Sequence, residues 1–131
     1  MAKPQRPSGV HRASVGDLIA SSPEMTAIFD RIKSSTRDLD AVVMRTTKSQ
    51  IAFRRRRGFA WVWVPAQYLH GRNVAPLVLS VALSRRDRSS RWKEVVEPHP
   101  GHFMHHLELF APSDVDTAVK SWLEEAWSAA A

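Results

Sequence analysis

The 131-residue chain reads as a single α+β domain. The expected form is a two-layer sandwich, an antiparallel sheet of about five strands flanked by an N-terminal and a C-terminal helix. Three observations predict this. Apolar residues recur with helical period near both ends, at Met25, Ile28, Phe29 and Ile32 and again at Val115, Val119, Trp122, Leu123 and Ala126. Between them the period falls to two, in short runs rich in branched and aromatic side chains and punctuated by Gly and Pro. The length suits one domain, and 44 % apolar with 24 % charged residues are globular values.

The elements follow in order. Residues 1–13 mix Lys3, Arg6 and Arg12 with Pro4, Pro7, Ser8 and Gly9 and read as a disordered basic tail, leaving 14–131 as the domain. Ser14 to Ile19 suits a short helical turn or docking arm. Ser22, Pro23 and Glu24 open a helix: a side-chain acceptor for an orphan amide, a residue with no N–H to waste, and an acid at the positive end of the dipole. It should fade near Arg37. Strands are expected over Ala41–Thr46, Ser49–Arg55 and Phe59–Val64, with Arg57-Gly58 as the hairpin turn between the last two. In the third strand strict alternation puts Phe59, Trp61 and Trp63 on one face and Ala60, Val62 and Val64 on the other. After a loop with His70, Gly71 and Pro76 comes a fourth strand, Leu77–Ser84. One of its sides is core; the other, Val78, Ser80, Ala82 and Ser84, is small and shallow. Arg85 to Pro100 is polar, with one helical turn expected around Lys93–Val96. A fifth strand runs from His102 to Phe110. The last helix opens at Pro112–Asp116 with Ser113 as N-cap, and Trp127 flanks its apolar stripe.

Composition narrows the chemistry. Without cysteine there is no disulfide framework, no thiolate nucleophile and no cysteine-ligated metal, as expected of a cytoplasmic protein. No apolar run approaches the ~20 residues that span a bilayer, so no membrane partner is expected. Nucleophile elbow, phosphate-binding glycine loop and HExxH motif are all missing, so no catalytic residue, cofactor or metal is assigned.

Charge is distributed unevenly. Residues 41–93 hold twelve Lys and Arg against one Asp, whereas residues 94–131 hold one Lys against seven acids; the whole chain is +6. Such asymmetry points to an anionic partner or to an internal charge dipole. Arg54, Arg55, Arg56 and Arg57 lie at the tip of the second hairpin. If the third and fourth strands are antiparallel neighbours, Arg85, Arg86, Arg88 and Arg91 return to the same rim, with Lys48 as an outlying member. That rim is a candidate contact for nucleic acid or an acidic protein; its alternative is a solvated tip whose charges meet Glu94, Glu97 or the acidic last helix. The aromatics Phe53, Phe59, Trp61 and Trp63 either stack bases or pack under helices, the commoner fate of alternating aromatics. Of the histidines, His102 and His106 share a strand face while neighbouring His105 points the other way, so the three cannot converge on one metal.

Several segments together resemble a known family. They are Thr47-Lys48-Ser49-Gln50-Ile51-Ala52-Phe53, then Arg57-Gly58-Phe59-Ala60, the amphipathic stretch Val15–Ile32, the pair His105-His106, and Val115-Asp116 leading to Trp122-Leu123-Glu124-Glu125-Ala126-Trp127. They resemble the bacterial family of domains of unknown function numbered 5655. That likeness implies a fold similar to small YdhG- and YjbR-type two-layer domains and supplies no activity. The expected function is therefore a non-catalytic binding module for nucleic acid or another polyanion through the basic rim. The alternatives are a scaffold or homodimer, or a small-ligand module that uses the shallow sheet face with Trp61, Trp63 and the histidines; a small enzyme stands third.

Overall fold

Ser14 begins the ordered architecture by capping the first helix, α1 (Val15–Ala20). Its hydroxyl accepts from the Asp17 amide while Asp17 reaches back to the Ser14 amide, a reciprocal capping box. The computed structural model describes residues 13–69 and 74–131. The expected basic tail, but for Ala13, and the loop residues His70 and Gly71 lie outside them. The helix α2 (Pro23–Thr36) starts as anticipated, with Ser22 as N-cap and Pro23 in the first turn, and buries Ile28, Phe29 and Ile32. Thr26 ties α2 to α1 through the Ile19 carbonyl, 2.7 Å away.

The sheet has six antiparallel strands: β1 (Val43–Thr46), β2 (Ile51–Arg54), β3 (Gly58–Trp63), β4 (Leu77–Leu83), β5 (Glu94–His99) and β6 (His102–Leu109). Their spatial order is β1-β2-β3-β4-β6-β5, so β1 and β5 are the edges. The expectation of five strands missed β5, and the helical turn placed at Lys93–Val96 is a strand. Its residues Glu94, Val96 and Glu97 are exposed, so they carry no buried alternation; pairing with β6 makes it a strand. Pro100 and Gly101 turn β5 into β6, with Gly101 at φ +81°, a backbone that glycine tolerates. The last helix, α3 (Thr117–Ala129), begins later than expected. Pro112–Asp114 form a separate 3-10 turn, and Asp116, not Ser113, is the N-cap, accepting from Val119 N–H at 3.1 Å.

The helices pack on one face of the sheet. Ile51, Phe53, Ala60, Val62, Leu77, Leu79, Val81, Leu107 and Leu109 point toward them and form the core with Val119, Leu123 and Ala126. Phe59 corrects the simple alternation. The register slips between Phe53 and Arg54, so Arg54 pairs with Gly58 while Phe53 pairs with Ala60. The extra residue lets Phe59 join the core, 6.5 Å from the Phe53 ring, while Trp61 and Trp63 stay on the opposite face. The two layers are thus the sheet and its helices, and among the described residues the second sheet face carries no α-helix.

Candidate functional site

On that helix-free face the register lines up one residue from every strand. The row runs Arg45, Ala52, Trp61, Ser80, His106, Glu94, from β1 to β5. Neighbours in it sit about 4.8 Å apart, one strand spacing. Around its middle lies a groove of about 340 Å³, lined by Ser49, Gln50, Trp61, Trp63, Tyr68, Ser80, Met104 and His106. A second hollow of about 260 Å³ lies on the other side of Trp63 and His106, under Leu69 and Val74, with Glu94 and Glu108 on its wall.

A hydrogen-bond relay crosses the groove floor. The Trp63 indole N–H can only donate, and it meets Ser80 Oγ at 3.2 Å. Ser80 Oγ is 2.7 Å from His106 Nδ1, within reach for its hydroxyl to donate to an unprotonated ring nitrogen. In that tautomer the neutral His106 ring carries its own proton on Nε2. Burial pushes the His106 pKa below its ordinary value, against the raising pull of Glu94, its cross-strand partner. The groove therefore combines flat aromatic walls with an N–H donor held by a fixed relay.

His105, one residue along, faces the core and is fully buried. Its Nδ1–H donates to the Phe103 carbonyl at 3.1 Å, and its Nε2 accepts from Asp87 N–H at 3.0 Å. The ring lies against Trp92, 4.8 Å between centroids, and Trp92 lies on Trp122 at 4.2 Å. Burial lowers the His105 pKa. Burial would raise the Asp87 carboxyl, but hydrogen bonds from the Trp92 indole, Ser89 N–H and Arg85 outweigh it and hold it below the ordinary range. His105 thus clasps the loop after β4 to the sheet.

The arginines of the expected rim meet α3 at different places: Arg55, Arg57 and Arg85 at its C-terminal half, Arg91 at its N-terminal end. Arg55 Nη1 donates to the Trp127 carbonyl at 3.2 Å with its guanidinium 3.9 Å from the Trp127 ring, and Arg57 donates to the Ala129 carbonyl at 2.7 Å. These are carbonyls of the last turn of α3, at the negative end of its dipole; Trp127 O also accepts from Ala130 N–H. Arg85 makes a two-pronged contact with Glu125, 2.8 Å on each prong, and a bond to Asp87. Those bonds raise its pKa, keeping it charged. Arg91 binds Asp116 and the Asp114 carbonyl. Arg86 rests over Phe103. Arg54, Arg56 and Arg88 make no side-chain hydrogen bond or ion pair among the described residues. His102 sits at the β5–β6 turn, its ring 4.4 Å from His99. No group of three or more His, Asp or Glu among the described residues is arranged to hold a metal ion. Nor is any described helix long and apolar enough to cross a membrane.

A model of the family described as Domain of unknown function (DUF5655) matches residues 15–130. The chain belongs to that family. Neither a curated protein nor a solved structure matches it. Within this DUF5655 domain, five of the residues singled out from sequence surround the groove or its approach: Trp61, Trp63, His106, Arg54 and Lys48. His105 and most of the rim do not. Tyr68, Gln50, Met104 and Arg45 escaped sequence reading, because only the register and the turn after Pro65 bring them to the face. Ser80 did leave a signal, as the polar centre of the shallow side of β4.

Proposed function

We propose that this DUF5655 domain is a non-catalytic binding module whose site is the groove on the helix-free sheet face, and that it takes a small planar molecule bearing a hydrogen-bond acceptor. The relay Trp63–Ser80–His106 carries this reading. Strands β3, β4 and β6 are already joined by their backbone ladders, so the relay adds little to sheet assembly. With the Ser80 hydroxyl donating to Nδ1, the relay holds His106 as the Nε2–H tautomer, whose N–H is free to meet an acceptor. Trp61, Trp63 and Tyr68 supply apolar surface for a ring, a common composition for small-molecule sites.

The test is ligand-observed NMR with three planar probes: adenosine, indole-3-acetate and tryptamine. The reading expects the acceptor-bearing adenosine to bind. It also expects W61A to weaken binding about tenfold or more, the scale of one stacked ring. Binding by none of the probes, or adenosine binding that survives both W61A and S80A, would overturn it.

A further inference from the structure

The groove's surroundings name a ligand class more closely. We infer that the groove holds a nucleotide unit, its base on Trp61 with an acceptor toward His106 and its phosphate on Arg45 and Arg54; this rests on the groove reading above. The transverse row carries the argument. Moving from Trp61 toward the β1 edge, the next residue is the small Ala52 and the one after is Arg45, about 10 Å from Trp61. Ala52 leaves the floor low between ring and guanidinium. Arg45 is exposed, and no carboxylate pairs with it among the described residues. Arg54 is the register partner of Gly58, and the Trp61 ring lies against Gly58 so closely that a Cβ there would meet Cζ2 at 2.6 Å. Arg54 thus springs from the strand beside the backbone that the Trp61 ring covers. Lys48 is exposed in the β1–β2 turn, directly before the groove residues Ser49 and Gln50.

The opposite end of the row has the opposite sign. Glu94 and Glu108 line the second hollow, with Lys93 bound to Glu108 at 3.1 Å. An anionic group is therefore repelled there and drawn to the β1–β2 side. An aromatic step beside unpaired cations is the pattern that stacks a base and neutralises its phosphate. The arginine tip does not offer this, because α3 points its negative end at Arg55 and Arg57.

The experiment compares adenosine, AMP and a single-stranded (dA)6 oligonucleotide by isothermal titration at two salt concentrations. Wild type is set beside R45A/R54A, R45Q and, as a rim control, R88A. AMP should bind at least fivefold tighter than adenosine at low salt. That gain should vanish in R45A/R54A, shrink in R45Q and persist in R88A. R45Q alters one exposed side chain, so it keeps the test valid should the double variant misfold. If adenosine and AMP bind equally, the nucleotide assignment falls while the groove stands; if neither binds, both fall. A gain abolished by R88A and kept by R45Q also refutes it, since the phosphate would then sit on the rim. The oligonucleotide separates the two sources of such a unit. A much tighter (dA)6, with log K falling against log salt at a slope of about −2 for three cations, indicates single-stranded nucleic acid. Affinity no better than AMP indicates a free nucleotide.

Discussion

Replacing His105 with leucine tests the structural half of the histidine pair. The substitution keeps the volume roughly but removes the Nδ1–H bond to the Phe103 carbonyl and the acceptor for Asp87 N–H. Each neutral hydrogen bond contributes about 1 kcal/mol, and a buried group left unpartnered costs about 1–3 kcal/mol. With the ring's contact to Trp92 also lost, H105L should be about 2–4 kcal/mol less stable at pH 7.5. The pH dependence carries a second signature. Burial lowers the folded pKa of His105 below the ordinary 6.5, so near pH 6 the unfolded chain binds a proton that the folded one refuses. Stability from this group is whole above pH 6.5 and is lost as pH falls from there toward the folded pKa. The limiting slope is about 1.4 kcal/mol per pH unit for one such group. His106 is shifted the same way and adds its own share. The assay is urea unfolding followed by tryptophan fluorescence at pH 7.5 and 5.5, for wild type, H105L and H106N. Wild type should lose stability at pH 5.5, and each variant should lose less between the two pH values than wild type does. Asp87 and Asp116, with ordinary values of 3.8 lowered further by the fold, act only below this window. A drop in H105L equal to that of wild type would refute the neutral, locked His105.

Gly58→Ala should push the Trp61 ring out of place, costing about 1–3 kcal/mol and weakening adenosine binding; melting temperature and titration read both effects. Asp116→Ala removes the N-cap of α3 and the partner of Arg91 and should cost about 1–2 kcal/mol, whereas Asp116→Asn keeps a capping oxygen and should cost under about 1 kcal/mol, since the half-exposed ion pair contributes little. Thermal melts of the two variants separate cap from charge. Arg55→Ala should destabilise by about 1–2 kcal/mol through the Trp127 ring and carbonyl, and should leave adenosine affinity unchanged.

The helices were legible because their signals are local. Ser22, Pro23 and the stripe Met25 to Ile32 specify α2 without reference to anything distant, and β3 and β4 declare themselves by alternation. β5 was not legible: Glu94 to His99 is mostly exposed, and only its partner β6 makes it a strand. The fate of the aromatics depended on one register slip. Strict alternation binds Phe59 to Trp61 and Trp63, and nothing in the residues 58–63 announces the slip that releases Phe59 to the core. The antiparallel pairing of β3 and β4 was readable from their alternation, but Arg91 meets the N-terminal end of α3, away from Arg55 and Arg57. The engagement of those two was less legible, because the α3 carbonyls that hold Arg55 and Arg57 belong to the backbone and leave no trace in composition.

The charge asymmetry and the open face have a common origin in where α3 lies. Its acids Asp116 and Glu125 and its C-terminal carbonyls engage Arg91, Arg85, Arg55 and Arg57 on the helical side of the sheet. The cations left over include Arg45, Arg54 and Lys48, at the β1–β2 side of the other face. Core packing does not require Trp61 and Trp63 there: both stay half-buried, and apolar surface left open on one face invites association. A purely structural account would leave that exposure without a purpose. The groove reading accounts for it, and it puts the aromatic step, the oriented donor and the unpaired cations within one transverse row of the sheet.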